Sequence, residues 1–402
     1  YLKKYCEPVG EKKSALSGKR VHVSEQDHCG GARFIGFDEM EKYWKGIGGK
    51  PIEDAQLASL DAILEAVLPK ALYTGNVILG NSGDCIDCDR CSNTRFALQS
   101  HDLSDSKFCA YSYLSRVCSF SFGSGFMGEC DQVIQVHYGY RTIRSFECLR
   151  MFNCADCYFS AGLENCQNCI FCFNLKNKSY CIGNLQLTKE EYGKFKQKIL
   201  GEARAELKAK KDVFGIVELI AHGNFKGTES ELRVQRGIEK SPYFGTGKPV
   251  PKVLEEGFRN TSKLLLGTGL SGIEQYEKWL MRHVRVPPKM KSVASGKAMY
   301  NVPVLAFAYT TKNCVTIEEA ESAAKGSITQ EELEKLSVYT AKDLLGKIKY
   351  FTPETKFGDS LDVEESVDFS SSMHCWRGAC YWTSKYCCYT FWMRDGEHMY
   401  GS

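Results

Sequence analysis

From Leu79 to Leu175 the chain is ordered in threes. Every third residue gives 33 positions that hold only Cys, Ser, Thr, Ala, Gly, Val, Leu or Met, without a charge or an aromatic ring. The two intervening phases carry what the row excludes: Asp84, Asp87, Arg90, Arg141, Glu147 and Asn165, and the rings of Phe120, Phe122, Phe146, Phe152 and Tyr158. One phase is therefore sterically restricted and points inward. A helix repeats every ~3.6 residues and would drift out of step within a few turns, whereas a simple strand repeats every ~2. A coil of short strands joined by bends keeps a fixed offset of three. Thirteen of the 20 Cys lie in this row, at positions 85, 88, 91, 109, 118, 130, 148, 154, 157, 166, 169, 172 and 181. Independent positions would share one phase about twice in a million trials, so this is an internal repeat. Separations of 18 recur, from Cys91 to Cys109, Cys130 to Cys148 to Cys166, and Cys154 to Cys172. They predict a Cys-laddered parallel β-helix, a β-solenoid with rungs near 18 residues stacked at ~4.8 Å, about six of them between positions 76 and 184.

A second row runs from Val363 through Ser366, Phe369, Ser372, Cys375, Gly378, Tyr381, Ser384, Cys387, Thr390, Met393, Gly396 and Met399 to Ser402, with Cys380 and Cys388 out of phase. It begins a second solenoid segment. Residues 51–72 read as an amphipathic helix, with Leu57, Leu60, Ile63, Leu64, Val67 and Leu68 at helical spacing. Thr188 and Glu191 form a capping box, and Tyr192, Phe195, Ile199, Ala203 and Leu207 continue one apolar face behind it. Both helices are expected to cap the solenoid. Residues 213–360 are different: Gly- and Pro-bearing stretches separate short helical patterns such as 273–284, and 301–310 (NVPVLAFAYT) reads as a buried strand. Capping boxes at Thr316 with Glu319 and Thr329 with Glu332 start two short helices. The predicted organisation is an N-terminal segment with a capping helix (1–75), a solenoid (76–187), a capping helix (188–212), an inserted mixed α/β domain (213–360) and a second solenoid segment (361–402). The whole is classed as a mixed β-solenoid plus α/β fold. Its rows start abruptly near Gly75 and run in phase to Ser402, so both ends are expected to offer strand edges to another molecule.

Composition narrows the function classes. The 402 residues are 43% hydrophobic and 25% charged, and no apolar run is long enough to span a membrane. A net charge of +3 is too balanced to predict nucleic-acid binding. From Thr188 to Lys211 there are eight Lys or Arg against four Glu, a stripe that reads as a solvated helix face, so nucleic acid is not expected as a partner. The chain opens YLKKYC, with no signal core, and the compartment stays open.

The sharpest chemical candidate is Cys154, Cys157, Cys166 and Cys169, two CxxC pairs with the ligand number of a tetrahedral zinc site. Yet all four belong to a row that continues through Ser, Leu and Val, which a dedicated metal site would not require, and free Cys is a small buried hydrophobe. The triplets Cys85, Cys88, Cys91 and Cys166, Cys169, Cys172 lack the fourth Cys and the Pro of a ferredoxin pattern, since Arg95 and Lys176 stand there. Cys6, His22, His28 and Cys29 have zinc-ligand types without paired spacing. Disulfides between rungs fit the Cα separation a disulfide accepts. His101, His137 and Gln135 fall in an outward phase, where a lone His reads as a surface residue. His374 stands beside Cys375, whose inward thiol would be desolvated and unreactive. GTGLSG lacks the lysine and spacing of a phosphate loop. Hexapeptide acyltransferases place bulky aliphatics where this row has Cys and Ser. No constellation argues for catalysis.

The run ENCQNCIFCFNLKNKSYCIGNLQLTKEEYGKFK resembles the Cys-rich repeat proteins of uncultured bacteria and archaea, which share CxxCxxCFNLKNKxYxIxN followed by a TKEEY-type helix. The match covers about residues 76–207, with a fainter echo in 363–402. It implies the repeat and its helix and is silent on activity, because that family is mostly of unassigned function. The sequence therefore reads as a non-enzymatic structural or assembly protein, a filament or shell component that self-associates or joins a larger protein assembly. No cofactor is expected. The alternative is a metal-binding module, zinc or iron-sulfur, using the CxxC clusters.

Overall fold

The structure, a computed structural model, describes residues 1–24, 31–47, 53–125, 127–139, 141–153, 155–222, 249–284, 287, 289–301 and 313–402. The chain forms two compact units, Tyr1–Cys157 and Tyr158–Ser402.

The period of three is a backbone period. From Asp84 to Phe120 every third residue has φ between 45° and 58°, the left-handed region, and each directly precedes a residue of the inward row. Asp84, Asp87, Asn93, Asp102 and Asp105 suit this conformation because Asp and Asn tolerate it better than other non-Gly residues, whereas Phe96, Phe108, Val117 and Phe120 adopt it at a cost of ~1–2 kcal/mol each. Two extended residues and one left-handed residue make a short straight piece and a bend. From Cys88 to Leu175 every described position of the row is buried.

In the first unit the strands Gly83–Ile86, Arg95–Leu98, Lys107–Ala110, Ser119–Phe122, Val133–His137 and Ser145–Met151 follow one another in parallel, and Asp89–Ser92, His101–Ser104 and Tyr113–Arg116 form part of a second, four-stranded sheet. Their register is twelve residues: Cys85 pairs with Ala97, Ala97 with Cys109, Cys109 with Ser121 and Ser121 with Val133. At the start of this unit an antiparallel hairpin, Gly10–Lys13 with Arg20–Val23, packs Val21 and Val23 on Phe34. The expected helix over 51–72 is broken into Asp54–Leu57, Leu60–Val67 and Leu68–Lys70, because Ser59 caps a new start by accepting from the Ala62 amide at 3.1 Å. Its residues Leu57, Leu60, Leu64 and Leu68 are exposed.

In the second unit Gln167–Ile170 and Ser179–Ile182 pair in parallel, and Leu185–Gln186 returns antiparallel. Helix Lys189–Lys210 starts at the Thr188–Glu191 box and buries Tyr192, Ile199 and Ala203. The boxes at Thr316 and Thr329 open helices Ile317–Ala323 and Gln330–Lys335. Residues 273–283 make only short helical turns, and 302–310, expected as a strand, lie outside the described residues. Near the C-terminus Val367–Ser370, Ala379–Trp382 and Phe391–Arg394 stack in parallel at the same twelve-residue register. Leu254 and Phe258 of helix Lys252–Leu266 pack on Trp376, Cys388 and Tyr389.

The expected fold class, a Cys-laddered parallel β-helix with rungs near 18 residues, flanking caps and an inserted domain, is corrected by this topology. The chain is a mixed α/β protein with several parallel sheets and a largest sheet of ten strands whose last member is antiparallel. Strands pair twelve residues apart and fall into separate sheets of unequal size. The spacing of 18 recurs because any multiple of three keeps a residue in the row, and 18/12 = 1.5 is not a whole repeat.

Candidate functional site

The inward row is a hydrogen-bonding element. Where the row position holds Ser, Thr or Cys, its side chain bonds to backbone groups of its own bend or of a neighbouring strand. Ser112 Oγ donates to the carbonyls of Ala110 (3.2 Å) and Ser121 (3.0 Å) and lies 3.1 Å from Ser121 Oγ. Thiols do the same at sulfur lengths: Cys148 to Phe146 (3.4 Å) and Cys157 (3.3 Å), Cys172 to Ile170 and Cys181 (both 3.3 Å), and Cys375 to Met373 (3.4 Å) and Ser384 (3.5 Å). Hydroxyls also accept from the amide twelve residues on, as Ser100 from Ser112 (3.1 Å), Ser124 from Val136 (3.1 Å) and Ser160 from Cys172 (3.0 Å). Cys and Ser alternate because either is small enough and either can donate.

Burial sets the chemistry of these thiols. Desolvation pushes Cys109 up to about 11 and Cys172 well above the ordinary thiol value. In the Cys375–Cys387 pair the Cys375 thiol hydrogen-bonds to the Cys387 sulfur, drawing Cys387 below its ordinary value against its burial and holding Cys375 far above. Burial thus favours the protonated, unreactive thiol at Cys109 and Cys172.

Of the proposed zinc ligands, Cys154 lies outside the described residues. Cys157 donates to the Ala155 carbonyl (3.4 Å), Cys166 to those of Glu164 (3.3 Å) and Leu175 (3.2 Å), and Cys169 to that of Gln167 (3.6 Å), all buried. In the first iron-sulfur triplet Cys85 is half-buried while Cys88 and Cys91 are buried and share a hydrogen bond. His28 and Cys29 lie outside the described residues. Cys6 donates to the Leu2 carbonyl at 3.2 Å, while His22 meets Asn76 at 3.1 Å and Asp87 at 3.3 Å. Among the described residues no group of three or more His, Cys, Asp or Glu stands together as a metal would need. His374 meets Asp362 at 3.1 Å and stacks on Tyr386, with Cys375 turned inward.

His101, His137 and Gln135, expected at the surface, are buried. The chain's first residues cover that phase: Gln135 Nε2 donates to the Tyr1 carbonyl at 2.8 Å, and Tyr5 sits edge-on to His137 at 6.0 Å. His101 meets Asp102 at 2.8 Å and stacks on Tyr113, whose ring lies where any Cβ at Gly125 would be. Among the described residues neither ring nitrogen of His137 has a hydrogen-bond partner, and its burial drives its pKa down to about 3.

The twelve-residue register creates columns that the reading in eighteens hid. Phe96, Phe108 and Phe120 stack with centroids 4.9 Å apart at interplanar angles of 6° and 9°. His374, Tyr386 and His398 stack at 5.2 and 4.9 Å. Glu365, Arg377 and Tyr389 form a buried polar column: Arg377 donates to Glu365 (2.9 Å), to Glu277 (3.3 Å) and to Tyr389 (3.1 Å), and lies over the Trp376 ring. Cys118 and Cys130, also twelve apart, form a disulfide. The signal for each was present as identical or complementary residues at spacing twelve.

No model of a known protein family matches the chain, and no curated protein matches it at a significant level. The resemblance to Cys-rich repeat proteins rests on its own motif. Among the described residues no helix is long and apolar enough to cross a membrane.

Proposed function

We propose that this protein is a non-enzymatic structural or assembly protein that works through the outer faces of its parallel sheets, associating with further copies of itself within a larger assembly. The observation that carries this reading is the contrast between the two sides of the strands. Inside, hydroxyls and thiols such as those of Ser112, Ser124, Cys148 and Cys172 are engaged with backbone. Outside, the stacked rings of Phe96, Phe108 and Phe120 are 48%, 37% and 40% exposed. Contiguous apolar surface of this kind is characteristic of interaction sites. Each ring covers the face of the next, so the column offers ring edges at a 4.9 Å repeat and little flat face for stacking a base or sugar. A partner with the same repeat fits such a surface, and strand spacing makes another β-ladder that partner.

Light scattering over a concentration series tests this. The protein should form oligomers, and replacing Phe96, Phe108 and Phe120 together by Asn should return it to a monomer. Asn adopts positive φ readily, so this variant keeps the fold. A monomer at every concentration would overturn the proposal.

A further inference from the structure

Cross-strand pairing at twelve residues places row positions directly opposite one another, and where both are Cys the pair has the geometry of a covalent bridge. The Cys118–Cys130 disulfide shows this relation, with its Cα atoms 4.8 Å apart. Three other thiol pairs among the described residues share the spacing, Cys157 with Cys169, Cys169 with Cys181 and Cys375 with Cys387, and the last two are singled out because their thiols are hydrogen-bonded to each other. Cys169 and Cys181 are register partners in adjacent parallel strands. Cys375 faces Cys387, since Met373 pairs with Lys385 and Trp376 with Cys388 on either side, and the Trp376 amide donates to the Cys387 carbonyl at 2.9 Å. All four side chains point into the row and are buried.

We propose that Cys169 with Cys181, and Cys375 with Cys387, are two further cross-strand disulfide sites, closed by a low-molecular-weight disulfide oxidant such as oxidised glutathione. The register supplies the Cα separation that a disulfide accepts without backbone movement. The thiolate of one cysteine attacks a sulfur of the oxidant, forming a mixed disulfide and releasing one thiol. The second cysteine then attacks the protein-side sulfur, closing the bridge and releasing the second thiol. The pair loses two electrons and two protons, and the oxidant is reduced to two thiols. Because the pairs are buried, exchange takes place while a strand is transiently open, and re-pairing brings the second sulfur into position. Cys169 also hydrogen-bonds with Cys172, but these two lie three residues apart across a left-handed bend at Phe171 and are not register partners.

Peptide mapping tests this directly. The full chain is incubated with oxidised glutathione in urea below its unfolding transition, free thiols are alkylated, and unreduced tryptic peptides are analysed by mass spectrometry. Lys176 and Lys178 lie between Cys169 and Cys181, and Arg377 and Lys385 between Cys375 and Cys387, so each bridge appears as two joined peptides. Both bridges should accumulate above any other new link. Cys181→Ser should abolish the first and leave the second, and Cys387→Ser the reverse, with Ser a native occupant of the row. Alkylation of all four cysteines throughout, or a link from Cys169 mainly to Cys172 or to any other cysteine, overturns the proposal; the unmodified chain alone decides it.

Discussion

Replacing Ser124 by Ala removes one oxygen from the inward row, and the structure states what that oxygen does. It accepts from the Val136 amide at 3.1 Å and donates to the Phe122 carbonyl at 3.2 Å, in a fully buried position. Alanine fits the space, so no overpacking competes with the loss of bonds. The Val136 amide is left without its acceptor, at ~1–3 kcal/mol, and the lost donor bond adds ~0.5–1.5 kcal/mol. About 3 kcal/mol of local destabilisation is expected, which by RT ≈ 0.59 kcal/mol makes the opening constant more than about a hundredfold larger. Amide hydrogen exchange read by mass spectrometry on peptides spanning 133–139 reports this locally and avoids assuming a single unfolding transition for two units. Cys148→Ser serves as the control, since Ser donates to the same two carbonyls and should cost under about 1 kcal/mol. If Ser124→Ala leaves exchange within about threefold of the parent, the row is held by packing alone and its hydroxyls are not satisfying the backbone.

Stability should fall in mild acid because of His137. Its folded pKa is about 3 through burial, so the folded state holds it neutral while the unfolded chain protonates near 6.5. Its contribution is complete above pH ~6.5 and declines by about 1.4 kcal/mol per unit as pH falls towards 3; urea titrations at pH 7 and 5 should show this loss in the parent and not in His137→Gln. Ser124→Lys or Cys148→Lys should prevent folding of the first unit, judged by circular dichroism, because an unpaired charge enters a closed interior. Arg377→Met should cost ~3–5 kcal/mol by stranding buried Glu365, and a second change, Glu365→Gln, should recover much of it in thermal melts.

Some of the structure was legible because it depends on neighbours in sequence. The inward direction of the row follows from the exclusion of charge and rings, and Cys88, Ser124 and Cys148 are buried accordingly. Thr188, Thr316 and Thr329 begin helices where their capping boxes predict. The fold class was not legible from cysteine spacing, because a row of period three is satisfied by any repeat divisible by three. Phe96, Phe108 and Phe120 held the true interval, and their left-handed backbone made them poor candidates for a regular column. His101, His137 and Gln135 were misplaced for another reason. An outward phase faces solvent only until another group covers it: Tyr1 meets Gln135 and Tyr5 meets His137 across more than a hundred residues of sequence, while His101 lies against Tyr113. Of the proposed metal set, Cys157, Cys166 and Cys169 each lie within hydrogen-bonding distance of a backbone carbonyl, and Cys154 is outside the described residues.

The claim that function resides on the outer aromatic column, and not in the thiols beneath it, meets its most direct test in one comparison. Light scattering of the parent and of the Phe96→Asn, Phe108→Asn, Phe120→Asn triple variant is recorded across a range of concentrations, with circular dichroism confirming that both are folded. The account predicts concentration-dependent oligomers for the parent and a 45.2 kDa monomer for the variant. A folded variant that assembles as the parent does, or a parent that never assembles, would contradict it.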